Sequence, residues 1–272
     1  MENKFMWRVI FDRARHGAEN MAIDQAILEA VAQREVPPTL RLYAWERPCL
    51  SLGYNQRIAE VDLDALEMRQ WEIVRRITGG KAILHTDEIT YSVALPDNMP
   101  LVEGSIIESY RRLSVALLAA LELLGAHADV TSPDAAGRAQ GPVCFEVPSN
   151  YEITAYGRKL VGSAQVRRFG GVLQHGTLPL IGDITRIIEV LRFEDEAERQ
   201  WARQKVQERA ITLEEALGQQ VDWQVAAEAI AEGFRSTFSL ILQETSLSEK
   251  EVERARALIG EQYDNAEWTA RR

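Results

Sequence analysis

Residues 151–180, YEITAYGRKLVGSAQVRRFGGVLQHGTLPL, read as three strands in succession. Two alternating runs flank a turn at Gly157-Arg158, and a third run, GGVLQHGTLPL, follows. Upstream, TLRLYAW (39–45) alternates, IVRRIT (73–78) runs into Gly79-Gly80, and AILHTDEITYSVAL (82–95) has the pattern of a hairpin or meander. Helical periodicity is clear at three places. Residues 18–33 put Ile23, Ile27, Ala30 and Val31 on one face. Residues 105–125 open with Ser105 and Glu108 at capping-box spacing and stop at Gly125, and Ser248 with Glu251 repeats that spacing before a helix to about Ile259. From residue 183 to 259 the chain returns to helix. Strands and helices are grouped, not regularly alternated, which predicts an α+β fold, a mixed β-sheet core flanked by helices with a helical C-terminal part.

The 272 residues are 46% hydrophobic and 26% charged, enough to bury a substantial core. No repeat, low-complexity tract or linker divides the chain, so a single domain is expected, with a core over about 7–245 and a helical extension over about 246–272. No apolar run approaches the ~20 residues that span a bilayer. The start MENKFMWRVIFDRAR lacks the features of a signal peptide, so a cytoplasmic protein is expected. A net charge of -10 argues against nonspecific nucleic-acid binding. Positive charge is nonetheless bunched, at Arg75, Arg76 and Lys81 and again at Arg158, Lys159, Arg167 and Arg168. If the two bunches meet, they make a local basic site for an anionic substrate or acidic partner; otherwise they are solvated strand ends.

Three stretches and one cysteine carry chemistry. The glycine pair in RRITGGKAILH (75–85) lets the main chain approach a ligand, yet matches neither GxxxxGK[ST] nor GxGxxG. In GRKLVGSAQ (157–165) the small residues after Lys159 mark a close approach by a ligand or another backbone. In LQHGTLPL (173–180), His175 precedes a glycine. Cys144 is either a small buried apolar residue or, with Lys159 or His175 close by to favour its thiolate, a nucleophile. Cys49 is expected in the core, and the four histidines and two cysteines show no metal-ligand spacing.

Taken in order, RRITGGKAILHTDEITYS, CFEVPSNYEI, GRKLVGSAQVRR and VLQHGTLPL resemble the lipoate-protein ligase, octanoyltransferase and biotin-ligase catalytic-domain family. GAENMAIDQAIL and LRLYAWERPCLSLGYNQ look like that family's opening helix and first strands, so the resemblance spans about residues 7–192. A cysteine before Phe145, followed by PSNYEI, is similar to the cysteine-dependent octanoyltransferases of Gram-positive type. That resemblance implies that Cys144 takes an octanoyl group from acyl carrier protein as a thioester. The group then passes to a lysine of a lipoyl domain, the glycine cleavage H protein being the expected acceptor. It further implies that Lys159 lowers the Cys144 pKa and shuttles protons. Arg76, Gly79, Gly80 and His85 would shape the acyl channel, with Ser163, Ala164, Gln165, His175 and Gly176 on the facing strands. No cofactor and no metal are implied, and a monomer is expected. Two departures stand out: the usual third glycine is Lys81, and the usual Asp after the motif histidine is Thr86. The first argues against a phosphate-embracing loop, and the second leaves a catalytic role for His85 unsupported. The rival readings are an ATP-dependent lipoate or octanoate ligase, an amidotransferase moving octanoyl between lipoyl domains, and a carrier-binding protein without chemistry.

Overall fold

The computed structural model describes residues 5–131 and 152–272, so Cys144 and most of CFEVPSNYEI lie outside the described residues. The strands are β1 (Met6–Phe11), β2 (Thr39–Tyr43), β3 (Cys49–Leu52), β4 (Glu72–Arg75), β5 (Ile83–His85), β6 (Glu88–Pro96), β7 (Asp129–Thr131), β8 (Glu152–Ala155), β9 (Arg158–Arg168), β10 (Gly171–Pro179) and β11 (Ile241–Glu244). The helices are α1 (Gly17–Ala32), α2 (Leu63–Arg69), α3 (Ile106–Leu123), α4 (Glu196–Arg209), α5 (Leu213–Leu217), α6 (Trp223–Thr237), α7 (Glu249–Leu258) and α8 (Ala266–Thr269). Eight strands form one sheet in the order β11-β1-β2-β6-β10-β9-β8-β7, and β4-β3-β5 form a second. Among the described residues, only the β11-β1-β2 edge of the large sheet is parallel. The fold is α+β, as the grouping of elements predicts.

Alternation along the strands decides which face receives which layer. Leu40 and Leu42 of β2, with Val93 of β6, pack beneath Leu113 and Leu117 of α3 and Ile230 and Phe234 of α6. Helices α3 and α6 approach closely at Gly233, where a Cβ would lie 2.4 Å from the Ala116 carbonyl oxygen. On the opposite face Ile10 and Leu173 pack with Ile23 and Ile27 of α1 and Leu258 of α7. Helix α1 is buried nearly all round because it is sandwiched between the sheet and α7. A third cluster, including Leu50, Leu52, Ile188 and Val206, joins the small sheet to α4. Both predicted capping boxes are made, Ser105 with Glu108 and Ser248 with Glu251. Glu251 also pairs with Arg8, tying α7 to β1 across 243 residues.

Three expectations need correction. Residues 82–95 are not one hairpin: β5 pairs with β3 in the small sheet, whereas β6 lies between β2 and β10 in the large one. The return to helix after residue 183 is interrupted by β11, which pairs in parallel with β1. The bunched arginines do not form an open basic site, because Arg75 and Arg76 are buried and turned onto backbone carbonyls. Arg75 donates to the oxygens of Gly53, Gln56 and Thr269, and Arg76 to those of Ser51, Gly79 and Lys81.

Candidate active site

A cleft of about 420 Å³, part of it open to solvent, lies between the two sheets, on the α1 face of the large one. Its floor comes from the centres of β6, β9 and β10, where register sets Ala164 beside His175, Ser163 beside Gly176 and Thr90 beside Thr177. Its roof is Ser51, Arg76, Gly80, Ile83 and His85, with Tyr43, Trp45 and Met21 closing one side. Gly80, with φ 92°, uses the conformational freedom of the glycine pair.

Two buried hydroxyl–imidazole–carboxylate chains meet in this cleft. In the first, His85 Nδ1 lies 2.6 Å from Glu88 Oε1, and its Nε2 lies 2.7 Å from Ser51 Oγ. Carboxylates only accept, so Nδ1 carries the proton and donates to Glu88. Arg76 donates to Ser51 Oγ at 3.0 Å, and the Trp45 ring stacks on His85 at 3.9 Å. Here Glu88 fills the role of neighbour that the Thr86 departure left open. In the second chain, His175 Nδ1 lies 3.1 Å from Asp24 Oδ2, and its Nε2 lies 2.7 Å from Thr78 Oγ1. Asp24 also accepts from Arg41, Tyr43 and Ser92 at 2.8–2.9 Å. Both chains end on the 78–81 loop, one through Thr78 and the other through Arg76, and so hold the cleft's roof.

Burial opposes ionisation of Asp24, yet His175 and Arg41 hold its carboxyl below the usual range. Burial pushes His175 below an ordinary imidazole against the pull of Asp24, with Arg76 and His85 adding to the push. An unfolded chain takes a proton at this histidine near pH 6.5, whereas the folded one resists it, so the contribution is full above about 6.5 and shrinks as pH falls toward the depressed folded value. Asp12, Asp24 and Glu88, all depressed, lose their contributions only as pH drops below about 4. Melting temperature is therefore expected to decline between pH 7 and 5, and His175→Gln is expected to flatten that limb. Parallel limbs in the two proteins would contradict the assignment.

Of the residues expected at the acyl site, Arg76, Gly80, His85, Ser163, Ala164, His175 and Gly176 line the cleft. Gly79 and Gln165 do not. Gln165 points to the α3 face, where it accepts from Ser109 at 2.9 Å and donates to Gln174 at 3.0 Å. Lys159 stands beyond the cleft's lining, buried on β9, its Nζ 3.0 Å from Glu152 Oε1 and its carbonyl accepting from Ile211. Ser51, Glu88, Asp24, Trp45 and Thr90 were not singled out in the sequence. The His85–Glu88 spacing was visible there; the partners 34 and more residues away were not. Gly53 is a further part of the site, since a Cβ there would lie 1.9 Å from the Gly80 oxygen. Gly53→Ala is expected to displace the 79–81 backbone and cut turnover roughly tenfold or more, as misplacement of about 1 Å can cost 10²-fold. Its far-ultraviolet circular dichroism should remain that of the wild type.

The family model described as lipoyl protein ligase A/B catalytic domain matches residues 16–235. The chain belongs to this family. Among family members, octanoyltransferase LipM of Moorella thermoacetica is 43% identical, with 98% of each chain covered. Octanoyltransferase LipM of Kyrpidia tusciae is 41% identical over 98% of this chain and 99% of that protein. Two solved members of the lipoyl ligase family share the fold. A bipartite lipoate protein ligase of Thermoplasma acidophilum superposes with a TM-score of 0.80 at 25% identity, covering 98% of this chain and 96% of that one. A lipoate-protein ligase A bound with ATP gives a TM-score of 0.77 at 25% identity, covering 97% and 98%. With such relatives over nearly its full length, this lipoyl ligase family member is an acyltransferase.

Proposed function

We propose that this enzyme moves an octanoyl group from acyl carrier protein to a lysine of a lipoyl domain, by way of a thioester on Cys144. The observation that carries the reading is the cleft itself: Met21, Tyr43, Trp45, Ile83 and Ala164 give it walls for an unbranched acyl chain, on a chain over 40% identical to octanoyltransferases. Exchange between thioesters is nearly neutral, and aminolysis to an amide runs downhill, so neither half-reaction needs ATP. A thiolate is the better nucleophile for such exchange, and Lys159 is the ammonium we assign to favour it. The burial of Lys159 beside Glu152 supports that role, since it holds a titratable amine away from bulk water. The H protein of glycine cleavage is the acceptor we expect.

One second reading has an observation behind it. The ligase bound with ATP shares the fold, which favours ATP-dependent activation of a free acid. Against it stand Lys81 in place of a third loop glycine and the arginines Arg75 and Arg76, whose donors are engaged by backbone carbonyls. The test is intact mass after incubation with octanoyl-acyl carrier protein without ATP. An added octanoyl mass, lost on adding a lipoyl domain, supports the transferase. Octanoylation of the lipoyl domain only when ATP and free octanoate are supplied makes this a ligase.

A further inference from the structure

Helix α8 and residues 270–272 are fastened to the roof of the cleft by one buried side chain. Arg75 donates from Nε and Nη2 to the Thr269 oxygen at 3.0 and 2.7 Å, and from Nη1 to the oxygens of Gly53 and Gln56 at 2.8 and 2.7 Å. The Trp268 indole returns a bond to the Arg75 oxygen at 2.8 Å, and the Ile58 amide donates to the Arg272 oxygen at 2.9 Å. The 53–56 turn held in this way is joined in turn to the 78–81 loop, since the Tyr54 amide donates to the Thr78 oxygen at 2.8 Å. Gly80 of that loop lines the cleft, so what stands on Tyr54 stands beside the cleft's roof.

This packing gathers positive charge around Tyr54. Arg168, at the end of β9, and Arg271 both lie against the Tyr54 ring, their Cζ atoms 4.5 and 4.1 Å from its centroid, and Arg271 also covers Trp268 at 4.6 Å. Arg271 donates to Tyr54 Oη at 2.8 Å. Hydrogen bonds from Arg168 and Arg271 hold the Tyr54 phenol below its ordinary value, and Arg271 and Arg272 add to the burial that lowers Arg75. Like charges this close repel one another, and the two aromatic faces offset only part of that repulsion. Among the described residues no carboxylate pairs with Arg168, Arg271 or Arg272, those of Asp264 and Glu267 on the same segment included, whereas Arg254 pairs with both Glu29 and Glu261. Arg271 is exposed, and Arg168 and Tyr54 are half-buried. Beyond the Tyr54 hydroxyl neither arginine donates to any acceptor among the described residues, so most of each guanidinium's donors are left for a ligand.

We propose that the face formed by Tyr54, Arg168, Arg271 and Arg272 docks the acyl donor, a carrier protein with an acidic surface and a phosphodiester in the arm that bears its acyl group. The proposal rests on the transferase reading above and names where its first substrate lands. Guanidiniums suit such a partner because they fork onto carboxylate and phosphate oxygens alike. A lipoyl domain suits the face less well, since the lysine it must present is itself a cation. On a chain with a net charge of -10, a positive face draws an acidic protein in one orientation, beside the roof.

The test measures how fast the full chain is loaded from octanoyl-acyl carrier protein and from octanoyl-N-acetylcysteamine, an uncharged thioester with no protein attached. In the double variant Arg168→Glu, Arg271→Glu the second-order rate constant for the protein donor is expected to fall roughly tenfold or more, through weaker binding and not a slower limiting rate. The variant should also lose the decline with added salt that the wild type shows. Arg271→Gln, a milder change at an exposed side chain, should give the same selective loss at roughly two- to threefold. Arg168→Lys with Arg271→Lys, which keeps the charge, should hold most of the wild-type rate at low salt. The small donor should load every variant as it loads the wild type. An equal loss with both donors overturns the proposal, because the substitutions would then act through the roof. So does an unchanged rate from the protein donor, or a defect confined to discharge onto a lipoyl domain, which would give the face to the acceptor. A wild type that loads from neither donor sinks the transferase reading, and this inference with it.

Discussion

Cys144→Ala enzyme, mixed with octanoyl-acyl carrier protein and a lipoyl domain, is expected to transfer nothing measurable, a loss of about 10³-fold or more. The expectation comes from the chemistry of a thioester intermediate: without the sulfur there is no acyl-enzyme, and what is left of the site can only hold the two substrates near one another. The other cysteine cannot stand in. Cys49 is fully buried on β3, its thiol pushed far up by burial and then by Glu72 and Glu88. Its sulfur is packed so closely on α1 that a Cβ on Gly17 would lie 2.4 Å away. Intact mass should show no adduct on the variant, and its circular dichroism should match that of the wild type. An octanoyl adduct on Cys144→Ala protein, or undiminished transfer, would sink the assignment.

Asp24→Ala is expected to cost about 3–5 kcal/mol of stability, measured by urea denaturation, because it removes one of the two carboxylates that neutralise a buried guanidinium and leaves buried donors without an acceptor. Arg41 is fully buried and is neutralised by Asp24 at 2.8 Å and Asp12 at 2.9 Å, while the Tyr43 and Ser92 hydroxyls both end on Asp24. Removing one carboxylate leaves three donors and an imidazole facing a void. Against a total stability of roughly 5–15 kcal/mol the loss is severe. Ser92→Ala, which removes one donor and leaves the ion pair, should cost only about 1 kcal/mol. If the two variants proved equally mild, the network would not be the structural centre its burial implies.

What could be read in advance divides along a physical line. Local signals were legible: Ser105 with Glu108 and Ser248 with Glu251 start their helices as their spacing says, because a capping box is made within four residues. The turn at Gly157 and the run of β8, β9 and β10 were legible for the same reason. Strand β11 was not, since its side chains are mostly exposed and it is a strand only because β1 offers it an open edge. The separation of β5 from β6 was hidden by an alternation that runs on through Thr86 and Asp87 as if nothing happened. At the site, sequence suggested glycines and histidines near a ligand but not their partners. Glu88 lies three residues from His85, but Ser51 meets His85, and Thr78 and Asp24 meet His175, from segments that only the tertiary fold brings together.

The pairing of β1 has a consequence for how the chain is made. Its outer edge stays bare until β11 arrives, and Arg8 waits for Glu251, 243 residues downstream. At ~5–20 residues per second, a ribosome takes about 10–50 s to bridge that distance. Throughout that interval the outer edge of β1 offers unpaired backbone N–H and C=O groups to any strand nearby. The sheet is thus completed only after most of the protein has been synthesised, and chaperone demand during translation should fall on its first strand.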